Sequence, residues 1–316
     1  MVDDGLSLGF GSHGGECVTF HCVDTTTPDA RARSLREIRD ETVSTLASAG
    51  VPDPEVDADL LVGHVLGLSR GAVQARIVVG AEMNEADAAT LASLVARRAL
   101  REPLQHITGR AAFRNLDLQV GPGVFVPRPE TEQVAQLAID ALAAAGEPEP
   151  IGVDLGTGSG AIALALATEV PHARVWAVEK SPEAFVWTRR NVAEVAAPNL
   201  ELVFGDLADA LPELDGRVAV VVSNPPYVPL RDMPRDPEVR LHDPEGALYG
   251  GVDGLDVVRV LSRRALALLR PGGALVIEHG EEQSAAIAEI LAADGWRAIA
   301  HHRDLTTRDR ATSAVR

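Results

Sequence analysis

The residues with the most specific chemistry in this sequence are Ser223-Asn224-Pro225-Pro226-Tyr227, which end the apolar run Val218–Val222. The Asn224 side-chain oxygen and the Pro225 carbonyl are two acceptors that together can hold both hydrogens of an –NH₂ group. Pro225 and Pro226 have a fixed φ and no N–H, so they hold the chain stiffly. The Tyr227 ring offers a flat face to a planar amide or base. We therefore predict that these residues, rather than forming an ordinary turn, bind and activate an amino or amide nitrogen.

A glycine-rich segment provides a second chemical signal. It has the sequence Asp154-Leu155-Gly156-Thr157-Gly158-Ser159-Gly160, and it lies between the apolar run beginning at Ile151 and the helical pattern AIALALA. Glycines at the end of a strand let a ligand approach the backbone, and the next helix presents free N–H groups. A dinucleotide site prefers Gly-x-Gly-x-x-Gly, but residue 161 is alanine. We predict a nucleoside-type cofactor held by Asp154, Gly156, Thr157, Gly158, Ser159 and Gly160.

Two acidic residues follow the next two apolar runs. Glu179 ends the run Val175–Val178 and can accept both hydroxyls of a ribose. Asp206 follows the third run and can accept from an adenine amino group, with the apolar Leu207 beside it. Either acid alone could be a solvated loop carboxylate. The glycine-rich segment, Glu179 and Asp206 follow three successive apolar runs. Together they favour a ligand site, because open α/β sheets bind ligands beyond the carboxyl ends of their strands.

The elements that must position these residues alternate between strand and helix patterns. IGVDL, ARVWAV, LELVF and VAVVVS are short apolar runs, and helical patterns lie between the early ones. This alternation is typical of a doubly wound parallel sheet, so we predict an α/β fold over residues 131–316. The later runs ALVIE, WRAIAHH and ATSAVR extend the sheet and predict an antiparallel strand pair at its end.

The part of the chain before this sheet has helical periodicity. Residues 34–102 predict a small helical bundle, in which Ser34 and Glu37 form a Ser-x-x-Glu capping box. Asn84 is expected to cap a later helix of the same bundle. Residues 103–130 alternate and carry several glycines, which predicts a linker of one or two hairpins.

Residues 1–33 show no sustained period, which predicts a disordered extension. His13, Cys17, His21 and Cys22 lie there, but their spacing matches no common zinc pattern, so we predict no metal site. Cys17 and Cys22 are the only cysteines, so a disulfide framework is absent, as in a reducing compartment.

Charge and hydropathy limit the classes of partner. The formal net charge of −17 makes a nucleic-acid partner less expected, because phosphate binding usually needs a basic face. No uninterrupted apolar run of membrane-spanning length and no secretory signal pattern is present, so we expect no membrane association and a cytoplasmic location.

These motifs resemble a known group of enzymes. DLGTGSG, Glu179 and NPPY are similar to amino-methyltransferases with an (Asn/Asp)-Pro-Pro-aromatic motif, which include adenine-N6 and cytosine-N4 DNA enzymes and protein glutamine methyltransferases. Within that group, residues 35–316 resemble the release factor glutamine methyltransferases, the PrmC or HemK family. The segments that carry this narrower resemblance are PLQHITG (103–109), VPRPETE (126–132), EVR (238–240), ALYGGVDG (247–254), PGG (271–273) and DL with RDR (304–310). Departures are Glu179 for a usual Asp, Leu207 for a frequent aromatic residue, and His106 for a commoner Tyr.

The resemblance implies a Rossmann-like class I methyltransferase sheet with S-adenosylmethionine as cofactor. It implies methyl transfer to the side-chain amide nitrogen (N5) of the glutamine in the Gly-Gly-Gln motif of peptide chain release factors, with residues 34–102 recognising the factor. Asn224 is then expected to contact both cofactor and substrate. No dedicated general base is evident, and the proton can leave after methyl transfer. Arg128, Glu130, Glu132 and Arg240 are expected to brace loops over the site.

Three alternatives stay open on the sequence alone. A glutamine methyltransferase of a ribosomal protein would differ only in the partner of the helical domain. An adenine-N6 or cytosine-N4 nucleic-acid methyltransferase would share NPPY but would need a flipped base, and no target-recognition domain is recognisable. A non-catalytic binding module on the same fold would not need intact glycines, Glu179 and Asn224.

Overall fold

The computed structural model describes residues 32–316. The prediction of no metal site at Cys17 and Cys22 lies outside these residues, as does that of a disordered extension for residues 1–31. Arg33, the last residue assigned to that extension, is instead ordered in a short β-strand that pairs with Met83. In the described part, no helix combines the length and apolar character needed to cross a membrane.

The N-terminal region forms a helical bundle around its own core. Apolar side chains from every helix meet in this core, including Leu35, Leu46, Leu61 and Leu91, which are almost completely buried. Its helices are α1 (Leu35–Ser48), α2 (Pro54–Leu66), α3 (Arg70–Val78), α4 (Glu85–Ala99) and α5 (Leu104–Thr108). The bundle therefore buries enough apolar surface to be held together mainly by the hydrophobic effect.

The start of the bundle differs from the predicted capping box. No backbone N–H donates to the Ser34 side chain, because Ser34 pairs with Glu82 in a two-residue antiparallel ladder between β1 (Arg33–Ser34) and β2 (Glu82–Met83). The Leu35 N–H donates instead to Ala81 O at 3.0 Å. The predicted cap at Asn84 is present, because its Oδ1 accepts from the Asp87 N–H at 2.8 Å.

The segment predicted as a hairpin linker begins with a helix. Leu104 and Ile107 of α5 pack into the core of the bundle, so the helical region continues past residue 102. One hairpin follows, made of β3 (Arg110–Phe113) and β4 (Leu116–Gln119). A five-residue helix has too few residues to show a clear period, which is why alternation dominated the prediction.

The remainder is a seven-stranded sheet covered by helices on both faces. The strands are β5 (Ile151–Leu155), β6 (Arg174–Glu179), β7 (Leu200–Phe204), β8 (Val218–Ser223), β9 (Leu269–Glu278), β10 (Arg297–Arg303) and β11 (Asp309–Val315). The helices are α6 (Pro129–Ala143), α7 (Ala161–Glu169), α8 (Pro182–Val195), α9 (Pro237–His242), α10 (Glu245–Leu248), α11 (Asp256–Leu268) and α12 (Ser284–Asp294). One core lies between the sheet and α6, α7 and α8, and a second lies under α11 and α12.

The predicted site lies at the point where the order of the strands in the sheet changes direction. The order is β10-β11-β9-β8-β5-β6-β7, with β9, β8, β5, β6 and β7 parallel and β11 antiparallel to both β9 and β10. From β5 the chain first builds β6 and β7 on one side and then β8 and β9 on the other. Open sheets bind ligands at such a switch point, beyond the carboxyl ends of the strands. The α/β fold and its terminal antiparallel pair are as predicted.

Candidate active site

A cavity of about 1140 Å³ opens at the carboxyl edge of the sheet. Its walls come from the glycine-rich loop, the end of β6, the Asn224–Val228 segment, the loop before α6, and the chain around α9 and α10. Asp53 of the helical bundle also lines it. The cavity therefore brings together most of the residues selected from the sequence.

The glycine-rich loop leaves its backbone open to the cavity. Gly156 and Gly158 have φ of +77° and +60°, and a Cβ added to either would have no heavy atom within 4 Å. Thr157 and Ser159 line the same wall. Gly160 does not line the cavity, since a Cβ there would lie 3.0 Å from Thr188 Cγ2. Gly160 thus allows close packing of α7 against α8.

Asp154 lies buried beneath this loop. Its Oδ2 accepts from Thr157 Oγ1 at 2.6 Å and from the Ala163 N–H at 3.1 Å. Its buried Oδ1 has no hydrogen-bond partner among the described residues. Burial raises the pKa of Asp154 to about 7, although the hydrogen bonds from Thr157 and Ala163 oppose this shift. One acceptor is therefore left over at the cavity wall.

Glu179 has a structural contact that its position in the sequence did not predict. Its Oε2 accepts from the Gly158 N–H at 2.8 Å, and its Oε1 accepts from the Ser181 N–H at 2.7 Å. Each carboxylate oxygen can still accept a further hydrogen bond. Glu179 can therefore hold the glycine-rich loop and bind a diol at the same time.

Asp206 is not brought to the cavity wall, whereas its neighbours Gly205 and Leu207 are. The Asp206 side chain is half-exposed, with Oδ1 accepting from the Ala208 N–H at 3.0 Å and Oδ2 lying 3.5 Å from Lys180 Nζ. The side chain is turned toward its own loop because a short Asp readily accepts from the backbone two residues on. The apolar Leu207, which is buried, is the residue that presents a surface to the cavity here.

Asn224 lies at the centre of the opposite wall. Its Nδ2 donates to Thr131 Oγ1 at 3.4 Å, while its Oδ1 accepts no hydrogen bond from the described residues. The Pro225 carbonyl likewise has no donor among them. The preceding residue, Ser223, ties β8 to β5 through a hydrogen bond to Leu155 O at 2.6 Å. Two free acceptors are thus held beside a rigid strand end.

Tyr227 and the two prolines line the same wall, and two glycines fit closely against them. A Cβ on Gly250 would collide with Pro226 O, and a Cβ on Gly254 would collide with Tyr227 O. Gln283 Nε2 also donates to Tyr227 O at 2.8 Å. Burial raises the pKa of Tyr227 to about 12, so its hydroxyl stays protonated. Any side chain at 250 or 254 would displace this segment.

Ion pairs hold the chain around α9 against the rest of the protein. Arg128 Nη2 donates to Asp243 Oδ2 at 2.8 Å, as expected of a bracing residue. Glu238 of α9 accepts from Arg98 at 2.7 Å and from Arg101 at 2.5 Å, both in the helical bundle. Arg98 also donates to Asp57 at 2.6 Å. These buried and partly buried contacts join the two regions next to the cavity, since Asp236 and Val239 on either side of Glu238 line it.

The other predicted braces differ in their contacts. Glu132 Oε1 accepts from the Arg114 N–H at 3.0 Å, which fixes the hairpin to α6. Glu130 lines the cavity, whereas Arg240 is not a lining residue, and within residues 32–316 its side chain hydrogen-bonds only to Met233 Sδ at 3.5 Å.

Glu278 and Arg310 also line the cavity but were not predicted. Glu278 is the last residue of β9 and follows the buried run that ends at Ile277. The signal that could have identified it is an acid directly after an apolar strand, the same signal that identified Glu179. No three His, Cys, Asp or Glu residues within 32–316 are grouped closely enough to hold a metal ion.

The donor and acceptor set fits S-adenosylmethionine. Open backbone at Gly156 and Gly158 leaves room for a ligand, and the unpartnered Asp154 Oδ1 is an acceptor that suits a cationic cofactor. Glu179 can accept from ribose hydroxyls, and Leu207 supplies an apolar surface.

Comparisons with known proteins agree with this geometry. The family "PrmC N-terminal domain" matches residues 37–109, and "Methyltransferase small domain" matches residues 115–235. A release factor glutamine methyltransferase of Streptomyces coelicolor is 51% identical over 271 residues, which cover 85% of this chain and 93% of that protein.

A second relative acts on a different kind of molecule. The 4-amino-L-phenylalanine/4-methylamino-L-phenylalanine methyltransferase of Streptomyces pristinaespiralis is 38% identical over 292 residues, which cover 91% of this chain and 97% of that protein. Among solved structures, the hMettl16 catalytic domain in complex with the MAT2A 3'UTR hairpin 6 superposes with a TM-score of 0.51 at 17% identity. It covers 70% of this chain and 81% of that one, and it shows the fold alone.

These findings confirm the predicted Rossmann-like class I methyltransferase fold and S-adenosylmethionine as the cofactor. The predicted family is confirmed by identity over most of both sequences. The chain belongs to the release factor glutamine methyltransferase family.

Proposed function

We propose that this chain transfers the methyl group of S-adenosylmethionine to the amide nitrogen N5 of the glutamine in the Gly-Gly-Gln motif of cytoplasmic peptide chain release factors. One observation carries this proposal: Asn224 Oδ1 and Pro225 O are both without a donor among the described residues and lie on the wall of the cofactor cavity. A primary amide presents two N–H hydrogens, which two such acceptors can hold at once.

The chemistry requires orientation more than activation of the electrophile. Amide nitrogen is a poor nucleophile because its lone pair is delocalised, while the bound cofactor supplies a methyl group on a reactive sulfonium. Asn224 and Pro225 would align the nitrogen for in-line attack, and alignment of this kind can lower a barrier by several kcal/mol. The same acceptors would stabilise positive charge that develops on nitrogen. Tyr227, which stays protonated, would pack its ring against the planar amide.

The remaining cavity wall supports a protein substrate. Asp53 brings the helical bundle to the cavity, and four exposed apolar side chains lie in the segment 230–252, which contains α9 and several cavity-lining residues. These are Leu230, Met233, Leu241 and Val252, each more than half exposed. Exposed apolar side chains close to a deep polar site are suited to contact a folded partner. Remote contacts of this kind can contribute selectivity and orientation that a single amide cannot supply.

A second candidate is methylation of a free arylamine, which the relative from Streptomyces pristinaespiralis suggests. An arylamine also presents an –NH₂ group on a flat ring, so Asn224 and Tyr227 fit it chemically. The glutamine proposal is preferred because the relative named for release factors is more similar to this chain, at 51% against 38% identity.

The test is methyl transfer from labelled S-adenosylmethionine to separate acceptors. The acceptors are a purified release factor, the same factor with Gln→Ala in Gly-Gly-Gln, purified ribosomal proteins, single-stranded DNA and 4-amino-L-phenylalanine. We expect label only on the first. Label on the Gln→Ala factor would contradict the glutamine assignment, and label on ribosomal protein, DNA or the free amino acid would support the corresponding alternative.

A further inference from the structure

Three neighbouring strand ends place Asn224, Glu278 and Arg310 next to one another. Ser223 of β8 pairs with Ile277 of β9, so the residues that follow them, Asn224 and Glu278, are adjacent. Glu278 in turn pairs with Ala311 of β11, next to Arg310. All three side chains line the cavity. The acceptor wall therefore contains a carboxyl group directly beside the asparagine.

The Glu278 carboxyl is almost completely buried, and its Oε2 has no hydrogen-bond partner among residues 32–316. Burial raises the pKa of Glu278 to about 7. The neighbouring polar side chains of Thr131 and Asn224 and the charge of Arg310 act in the opposite direction. Thr131 and Asn224 therefore lie beside the carboxyl group, although neither of them donates a hydrogen bond to Glu278 in the structure.

A buried acid of this kind does not stabilise the fold. An unsatisfied polar atom in the interior costs free energy, and an apolar side chain of similar shape would remove that cost. The position of Glu278 in a cavity wall, beside the group proposed to hold the substrate, indicates a functional reason for the carboxyl.

The Asn224 amide needs neighbours that fix its orientation, because its oxygen and nitrogen ends have nearly the same shape. Rotation of the Asn224 amide by half a turn would exchange Oδ1 and Nδ2, and an –NH₂ group would then face the substrate –NH₂. Acceptors placed on one side only would prevent this exchange. Asn224 Nδ2 donates to Thr131 Oγ1 at 3.4 Å. Because a hydroxyl can also donate, Thr131 alone would accept either orientation of the amide, whereas the ionised Glu278 carboxylate can only accept and would favour Nδ2 on its own side.

We propose that Glu278 is a positioning residue that acts with Thr131 to fix the Asn224 side-chain amide with Oδ1 toward the substrate nitrogen. This inference rests on the proposed role of Asn224 in binding the substrate amide. Glu278 itself need not touch the substrate, and its effect passes through Asn224.

The test compares E278L with E278Q in the full-length protein. E278L removes the acceptor, so we expect kcat to fall at least about tenfold, a fraction of the effect of losing an electrostatic partner outright. Cofactor affinity by calorimetry should stay within about threefold, and the Tm should be unchanged or higher. E278Q keeps an oxygen that can accept from Asn224 Nδ2, so it should restore kcat to within about fivefold of the wild type.

Other results of this comparison would overturn the role proposed for Glu278 or the proposed function. Normal turnover in E278L would overturn the inference. Equal loss in E278Q and E278L, together with loss of a pH-rate limb near neutrality, would make Glu278 a proton acceptor and would also overturn it. If E278L does not fold, T131V decides, because it should lower kcat several-fold and normal turnover in T131V would overturn the inference. Normal turnover in N224A would instead refute the proposed function.

Discussion

The two walls of the cavity are built in different ways. On the cofactor wall, Gly158 and Glu179 come from consecutive strand–helix units, and parallel pairing of β5 with β6 brings them together. On the acceptor wall, Asn224 contacts Thr131, Pro226 fits against Gly250, and neither contact is local in the chain. The cofactor wall thus follows from the fold itself, whereas the acceptor wall depends on several separate contacts.

The helical bundle, like the acceptor wall, is held in place by contacts between residues that are distant in the sequence. Arg98 and Arg101 hold Glu238, whose helix α9 forms part of the acceptor wall. The bundle therefore supports the catalytic cavity in addition to any contact with a substrate protein. A deletion of residues up to 102 would leave Glu238 without both arginines. Point substitutions separate the two roles better than a domain deletion.

The largest effect is expected on the acceptor wall, from N224A. Loss of one preorganised acceptor should lower kcat at least about a hundredfold, while cofactor affinity by calorimetry stays within a few-fold. N115A, at an exposed residue of the β3–β4 turn, is the matched control and should behave as the wild type. Turnover of N224A close to that of N115A would show that Asn224 on the acceptor wall does not determine kcat.

On the cofactor wall we expect a smaller effect, which weakens cofactor binding and leaves kcat nearly unchanged. E179A removes the acceptor for Gly158 and Ser181 and any contact to ribose, so cofactor binding should weaken at least about tenfold. Removal of uniform binding raises KM with little change in kcat at saturation. E201A, at an exposed position of β7, serves as the control. An unchanged dissociation constant in E179A would mean that Glu179 is only a loop brace.

A more moderate effect is expected where the bundle meets the acceptor wall. E238Q removes the charge facing Arg98 and Arg101, so we expect a loss of about 1–3 kcal/mol in the free energy of unfolding and a several-fold lower kcat. E41Q, which breaks an exposed pair with Arg33, should cost less than about 1 kcal/mol and leave kcat unchanged. Equal kcat in E238Q and E41Q would mean that the bundle does not support the cavity.

The interaction of Glu238 with Arg98 and Arg101 also predicts how the stability of the protein depends on pH. Burial alone would raise the pKa of Glu238, but hydrogen bonds from neighbouring side chains, led by Arg101, lower it well below its usual range. The stabilisation is then fully present above the unfolded pKa of about 4.3 and is lost as the pH falls through the lower folded value. The stability difference between wild type and E238Q should therefore be constant from neutral pH to about 5 and shrink below about 4.

The smallest effect is expected outside both walls. Residues 1–31 carry no apolar period that could pack on a core, so a chain that starts at residue 32 should keep kcat and KM within about twofold. The measurement is steady-state methyl transfer to the release factor. A large loss would show that this segment takes part in binding.

The difference between the walls also explains what the sequence could predict. Gly156, Gly158 and Glu179 were found because their signals are local, each being a residue type at the end of an apolar run. The role of Gly250 could not be derived in this way, because the carbonyl that it must avoid belongs to Pro226. A glycine required by a distant backbone atom looks like any loop glycine.

The ion pairs at the junction were equally hidden. Arg98 and Glu238 lie 140 positions apart, and only the fold shows that both are buried. Glu278 was missed for another reason, because its run ALVIE was interpreted only as a strand. The Ser34 cap is absent because the backbone at the start of α1 is fixed differently, by pairing of Ser34 with Glu82 and by donation of the Leu35 N–H to Ala81 O.

The central claim is transfer of a methyl group to a glutamine amide nitrogen, and the chemistry of the product tests it most directly. The release factor is methylated with S-adenosylmethionine that carries a ¹³C-methyl group, and the isolated Gly-Gly-Gln peptide is hydrolysed in acid. Hydrolysis of N5-methylglutamine gives glutamate and methylamine, so the account predicts all of the ¹³C in methylamine. Recovery of the label as methanol, or in a methylated amino acid that survives hydrolysis, would contradict it.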